Sequence, residues 1–495
     1  MTADALSTSE SETGTAPVRP TMTIDGKPVT TTDELEVINP ATGAVAGYSP
    51  SCTAELLDEA FETAQAAFPA WNALGAERRG ELIRAAADVL EGEADALGSL
   101  LTTEMGRPWS ETRFEARQLV DWLRHFAGMT VPPVVIRDDE QITLKAVRRP
   151  LGVVAAITPW NGPLGTLGMK IGPALAAGNT VVVKPSPIAP LSTLRVGELL
   201  RDVLPPGVLS VISGPDALGA AFSQHPVPRK VTFSGSIGVG KKIAAGAAGD
   251  LKRLTLELGG NDAAVVLDDS DPEVTARAIF RFAFGNCGQA CVAIKRVYAT
   301  PGVYARLVEL LAQTATAAVV GDPLSPQTQL GPVVSEDQRH RMEELIDDAT
   351  GRGARVAAGG LRLPGPGFFF QPTIIADAAE GMRLVDEEQF GPVLPVIRCA
   401  DLDDAIARAN ATEYALGASI WTADSHAAHA AAERLEAGSV WINTHRITIG
   451  PVQPLGGWKW SGIGVENGPW GLESFTNLQA VLEQRPEPAP ARADG

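Results

Sequence analysis

The chain has 495 residues, 45% of them hydrophobic and 20% charged, a globular composition with room for about two to three domains. A formal net charge of −18 repels phosphate backbones and anionic lipid, so no nucleic-acid or membrane partner is expected, though a local basic site for an anionic cofactor remains compatible with it. Four cysteines, Cys52, Cys287, Cys291 and Cys399, are too few for a disulfide framework, and no apolar run reaches the ~18–20 residues of a membrane span, which points to a reducing, cytoplasmic setting.

Residues 1–20 carry acids and hydroxyls, lack the apolar stretch of a signal peptide, and read as a flexible tail, as do residues 487–495. Apolar spacing predicts helices over 54–67, 77–101 and 110–127. Residues 131–149 have two strand-like halves around Asp138-Asp139-Glu140, the pattern of a hairpin that projects from the body. Unbroken apolar runs at 180–183, 208–212, 263–267 and 439–442 suit strands buried on both faces of a parallel sheet. Asp271-Pro272-Glu273 has the N-cap, Pro and acid of a helix start. Residues 475–484 form a late strand of the exposed kind that pairs with another subunit. The alternation predicts an α/β fold with helix-covered sheets.

Several segments carry candidate chemistry. Thr158-Pro159-Trp160-Asn161-Gly162 offers a side-chain amide, a usual donor to a developing oxyanion. Lys184 ends a buried strand, where α/β folds bind ligands. Residues 233–243 form a Gly-rich loop able to set a helix N-terminus against a phosphate, yet Ile243 stands where a full dinucleotide fingerprint has its third Gly. Glu257 lies between Leu256 and Leu258 and before Gly259-Gly260, a setting that raises a carboxyl toward the range of a general base. Cys291 ends Gly285–Cys291, GNCGQAC, where Gly288 and Gln289 permit close backbone approach to a substrate. Taken alone, Cys291 reads equally as an inert buried thiol or as a nucleophile. Cys287 has metal-ligand spacing to it, but none of the six histidines adjoins the pair and His426 and His429 read as solvent-facing, so no metal site is expected.

Taken together, these segments resemble the NAD(P)-dependent aldehyde dehydrogenase superfamily over about residues 23–481. The resemblance rests on RPLGVVAAITPWN, GPALAAGNTVVVKPS, LPPGVLSVISG, KVTFSGS, LELGGN, GQAC, EEQFGPVLPV, ANATEYALGASIWT and PLGGWKWSGIG, in that order. It implies a Rossmann-type cofactor domain (21–130 and 150–257), an α/β catalytic domain (258–468), and a bridging hairpin and late strand (131–149 and 469–486) for a homodimer or homotetramer. It implies that a small-molecule aldehyde is oxidised to its acid with NAD or NADP through a thioester on Cys291. Glu257 would be the general base, Asn161 the oxyanion donor, and Lys170 a proton relay. Thr158, Pro159, Trp160, Lys184, Ser186, Gly219, Phe233, Gly235, Ser236, Val239, Leu258, Glu388 and Phe390 would contact the cofactor. Pro187 stands where many members have a ribose-binding Glu, which opens the NAD/NADP choice, and Val465 where Arg is usual. Gly162, Gly165, Thr166, Met169 and Leu455 would line the aldehyde tunnel. Their small or non-aromatic side chains predict a bulky apolar or aromatic substrate. A thiol hydrolase would not need the cofactor contacts, a CoA-acylating enzyme would lack Glu257, and a non-catalytic homologue would have lost Cys291 or Glu257.

Overall fold

The computed structural model describes residues 17–446 and 450–486; most of the 1–20 tail, the 487–495 tail and positions 447–449 lie outside the described residues. Two large sheets organise the chain. The first has eight strands in the order Lys27–Val29, Met22–Ile24, Leu209–Val211, Thr180–Lys184, Val153–Ile157, Lys230–Ser234, Arg253–Glu257, Gly462–Ile463. Its central five are parallel, and in chain order they run 3-2-1-4-5, the doubly wound Rossmann arrangement. The order reverses between Val153–Ile157 and Lys230–Ser234, so the carboxyl ends of those two strands form the crevice in which such sheets bind ligands. The strands are apolar because helices cover both faces: Val181, Val182, Val183, Val154 and Val231 are wholly buried.

The second sheet has seven strands, in the order Arg355–Ala358, Thr373–Ala378, Val393–Arg398, Ile294–Ala299, Asp262–Val266, Gly417–Trp421, Ser439–Ile442, all parallel except the first. Only residues 258–261 separate the last parallel strand of the first sheet from Asp262–Val266 of the second. Glu257 therefore sits at the seam between the sheets.

The helices at Ala54–Ala73 and Trp109–Ala127 contain their expected segments. The helix at Pro272–Phe284 is capped by Asp271, whose carboxylate accepts from the N–H groups of Glu273 and Val274. The single helix expected over 77–101 is instead two, Gly75–Gly92 and Ala94–Met105, broken at Glu93 with φ −106° and ψ 4°. Gly92, the poorest helix former after Pro, ends the first. The strand at 208–212 is shortened to Leu209–Val211. The hairpin forms from Val134–Asp138 and Ile142–Pro150. The late strand, Thr476–Gln484, pairs residue for residue with Ile142–Pro150 of its own chain, completing a three-stranded sheet. Phe475, expected in the strand, is instead buried under the Lys230 ammonium, 4.6 Å from the ring centre.

Candidate active site

Four chain segments meet at the seam. Asn161 precedes the Pro163–Ala176 helix, and its amide Nδ2 donates to the Gln289 carbonyl at 3.0 Å. Its other amide hydrogen has no partner among the described residues. Asn286 reinforces this junction by donating from Nδ2 to the Asn161 and Gln289 carbonyls, at 2.9 and 3.1 Å. Asn286 and Cys287 both have φ of 54°, a left-handed conformation that costs non-glycine residues energy and persists where surrounding contacts enforce it. Gly288 serves this turn rather than a substrate. A Cβ there would lie 2.3 Å from the Gly391 carbonyl, and Gln289 is wholly buried, accepting from Val334 N at 2.8 Å. Both corrections follow from the turn packing against backbone. Cys287 belongs to the apolar core of the second sheet.

Cys291 is partly exposed. Burial pushes its thiol up to about 11, while Lys295 and Arg446 oppose the shift. Gly260 abuts it: a Cβ at Gly260 would lie 2.6 Å from the Cys291 carbonyl oxygen. Gly259 likewise makes room for Glu388, since a Cβ there would fall 2.2 Å from Glu388 Oε2.

Glu257 is buried, and neither of its carboxylate oxygens has a hydrogen-bond partner among the described residues. Desolvation, and then the nearby Glu466 carboxylate, hold its carboxyl well above the ordinary range, with Lys170 opposing. Lys170 is wholly buried and donates to Glu466 Oε1 at 2.8 Å and to Thr232 Oγ1 at 3.1 Å. Glu466 was not singled out in the sequence. It directly follows Val465, and its signal was an acid after a Gly-rich run with nothing nearby in sequence to pair with.

The crevice of the first sheet fits a dinucleotide. Ser236 caps the Ile237–Ala247 helix by accepting from Val239 N. A Cβ at Gly238 would meet nothing within 4 Å, so the helix N-terminus is open to an anion. Thr158 Oγ1 is buried and has no partner among the described residues. Lys184 is buried, its ammonium reaches only the Pro185 carbonyl, at 3.2 Å, among the described residues, and burial lowers it to about 8. The Phe233 ring lies over Gly235, and Leu258 fills the space a side chain at Gly240 would need. Trp160 and Phe390 meet edge to face at 5.5 Å; Phe390 is held at φ 52°. Val239 is exposed, and Gly219 has open space beside it. Ser186 differs: its hydroxyl accepts from Ile188 N, which closes a local turn.

Of the candidate tunnel residues, Gly165, Thr166 and Met169 share one partly exposed face of the Pro163–Ala176 helix, and Gly162 stands at its N-cap. Facing them is Glu115 on the Trp109–Ala127 helix. A Cβ at Gly165 would lie 3.4 Å from Glu115 Cγ, and one at Gly162 would lie 3.9 Å from its Oε1. The Glu115 carboxylate accepts from Leu164 N and Gly165 N at 2.9 and 3.1 Å and from Arg107 Nη1 at 2.5 Å. Its charge thus caps the helix and pairs with Arg107. The polar Gln118 also faces Gly165, its Oε1 3.7 Å from where a Cβ there would lie. Leu455 bridges to Glu466 by a backbone pair.

A doubly wound sheet with an open helix N-terminus, beside a thiol, an orphaned carboxyl and a side-chain amide, defines a dinucleotide-dependent oxidoreductase of the thiol type. Residues 28–481 match the Aldehyde dehydrogenase family, and the chain belongs to that family. It is 38% identical to Aldehyde dehydrogenase LUC3 of Fusarium sp, over 92% of this chain and 97% of that one. Identity is 37% to Succinate-semialdehyde dehydrogenase (NADP(+)) GabD of Escherichia coli strain K12, covering 90% and 94%. Betaine aldehyde dehydrogenase of Staphylococcus aureus, solved in complex with NAD+, superposes with a TM-score of 0.91 at 33% identity, covering 95% and 96%. Aldehyde oxidation to the acid with NAD or NADP is accordingly the activity of this chain.

Proposed function

We propose that Cys291 is the nucleophile, Glu257 the base for the second half-reaction, and Asn161 with the Cys291 N–H the oxyanion donors. The observation that carries this reading is the buried, unpartnered Glu257 carboxyl at the seam with Cys291. The thiolate sulfur bonds to the aldehyde carbon, and the carbonyl pair moves onto oxygen. The free hydrogen of Asn161 Nδ2 and the Cys291 N–H stabilise that charge, each contact worth ~3–4 kcal/mol. The dinucleotide, when bound, supplies the hydride acceptor. Its candidate holders are Thr158, Pro159, Trp160, Lys184, Gly219, Phe233, Gly235, Ser236, Val239, Leu258, Glu388 and Phe390. Loss of hydride leaves a thioester on Cys291. Glu257 takes a proton from water, the hydroxide displaces sulfur, and the acid leaves with the thiolate restored. Lys170 and Glu466 offer that proton an onward partner.

The substrate we favour is a bulky apolar or aromatic aldehyde, supported by the open face at Gly162, Gly165, Thr166 and Met169. Gln118, Arg446 and the Arg107–Glu115 pair favour a second reading, an aldehyde with a polar or charged tail. Pro187 supplies no carboxylate to reject a 2′-phosphate, which supports tolerance of NADP beside NAD.

The first sheet and its helices form the cofactor domain in this reading, and the second sheet forms the catalytic domain. A second copy of the chain covers the three-stranded sheet as part of a homodimer or homotetramer. Val134, Leu478 and Leu482 share one face by register, each at least 60% exposed. No helix among the described residues is long and apolar enough to cross a membrane, and the four free thiols support a cytoplasmic location.

Absorbance at 340 nm tests the assignment, with acetaldehyde, hexanal, benzaldehyde, succinic semialdehyde and betaine aldehyde and each cofactor. Wild type forms NAD(P)H and Cys291→Ala does not, while still binding cofactor. Turnover by Cys291→Ala would end the nucleophile assignment.

A further inference from the structure

Lys295 lies on the Ile294–Ala299 strand, four residues past Cys291, and is 1% exposed. An ammonium has three N–H donors, and here each finds an acceptor. Nζ lies 2.7 Å from the Ala290 carbonyl oxygen, 2.6 Å from that of Cys291, and 3.1 Å from Glu388 Oε1. Glu388 Oε1 also accepts from Gly260 N at 3.0 Å. One buried cation thus binds both carbonyls that flank the thiol and a carboxylate on the cofactor side.

We propose that Lys295 is a positioning residue that fixes the Ala290–Cys291 peptide so that the Cys291 N–H faces the substrate oxygen, and that it couples this peptide to Glu388. The inference rests on the reading of Cys291 as nucleophile. The peptide is planar and trans, so its N–H points opposite to its C=O. With the Ala290 carbonyl drawn onto Lys295, the Cys291 N–H is directed away from the lysine. Among the described residues that N–H has no hydrogen-bond partner, as an oxyanion donor requires before substrate arrives. A water or flexible side chain in place of Lys295 would leave the peptide free to turn, which would remove the donor without touching the substrate. The ammonium's charge also favours the thiolate, with Arg446 acting in the same sense and Glu388 and Asp262 against it. Sequence alone shows only a lysine one turn after the thiol; the strand geometry sends it back beneath the loop.

The test uses the full-length enzyme with Lys295→Met and with Lys295→Met/Glu388→Gln, the second removing the carboxylate left without a cation. In Lys295→Met, alkylation of Cys291 by iodoacetamide without cofactor, read by peptide mass at pH 8, is expected to fall about tenfold as the charge is lost, and in the double variant, which also removes the opposing Glu388 charge, by less. In both, the kcat is expected to fall about a hundredfold with the aldehyde KM changed less than threefold, as for a lost oxyanion donor. A merely structural lysine would lower Tm but leave the alkylation profile against pH in place. Alkylation and kcat within twofold of wild type in folded Lys295→Met, or kcat within twofold of wild type in the folded double variant, overturn the proposal. Should neither variant fold, a crystal structure of the wild type with Cys291 acylated decides. The Ala290 carbonyl on Lys295 and the Cys291 N–H on the acyl oxygen support the proposal, and a carbonyl turned from Lys295 overturns it. Full turnover by Cys291→Ala instead removes the nucleophile reading, whatever Lys295 does.

Discussion

With Glu257 as the proposed base, replacing it by Gln is expected to separate the two half-reactions. The residue is 7% exposed and its carboxylate oxygens meet no donor among the described residues, so an isosteric amide fits the same space without removing a hydrogen bond. Desolvation already disfavours the charged carboxylate, and the change therefore strands no partner charge. Thioester formation does not use Glu257 and is expected within about threefold of wild type. Hydrolysis loses its base, an effect of about a hundred- to ten-thousandfold, or ~3–5 kcal/mol on the barrier. Stopped-flow absorbance at 340 nm should show a burst of about one NAD(P)H per active subunit, then a slow steady state. The pH profile gives a second readout. Glu257 acts only when ionised, so wild-type hydrolysis climbs as pH rises through its raised pKa and then levels, and this limb is absent in the variant. The linkage to stability has the opposite sign. A carboxyl raised on folding favours the folded state below its unfolded pKa, and that contribution is lost as pH rises through the folded value; the variant escapes this loss. If burst and steady state fall together, Glu257 is not chiefly the hydrolytic base.

Three further outcomes follow from the geometry. With its thiol near 11, Cys291 should be alkylated without cofactor about tenfold faster per pH unit between pH 7 and 10; a plateau near pH 8 would show a far more acidic thiol. Gly162→Phe is sterically admissible, since a Cβ there meets nothing closer than 3.9 Å. Hexanal and benzaldehyde should exceed acetaldehyde in kcat/KM by tenfold or more in wild type, at ~0.8 kcal/mol per methylene buried, and lose that lead in the variant; an unchanged order refutes the open tunnel. Leu478→Lys with Leu482→Lys puts charge on the exposed sheet face and should shift the mass in solution, by light scattering, toward smaller species; an unaltered mass places the interface elsewhere.

Much of this protein was legible in one dimension because its physics is local. Strands buried on both faces must be apolar throughout, so Thr180–Lys184 and Asp262–Val266 announce themselves, and Asp271 satisfies N–H groups only two and three residues away. The ordered motifs likewise mark Cys291, Glu257 and Asn161 as chemical candidates, since they lie among small or apolar neighbours that have no other use for them. What the fold alone decided depends on residues distant in sequence. Glu466 becomes part of the site because it meets Lys170, 296 positions away. Glu115 caps the Pro163–Ala176 helix because the start of that helix lies against it. Gly288 is a glycine for the sake of Gly391, and the late strand finds its partner in its own hairpin. Periodicity and propensity report on neighbours along the chain, whereas ion pairs, close backbone approaches and strand partners are set by which surfaces the sheets bring together.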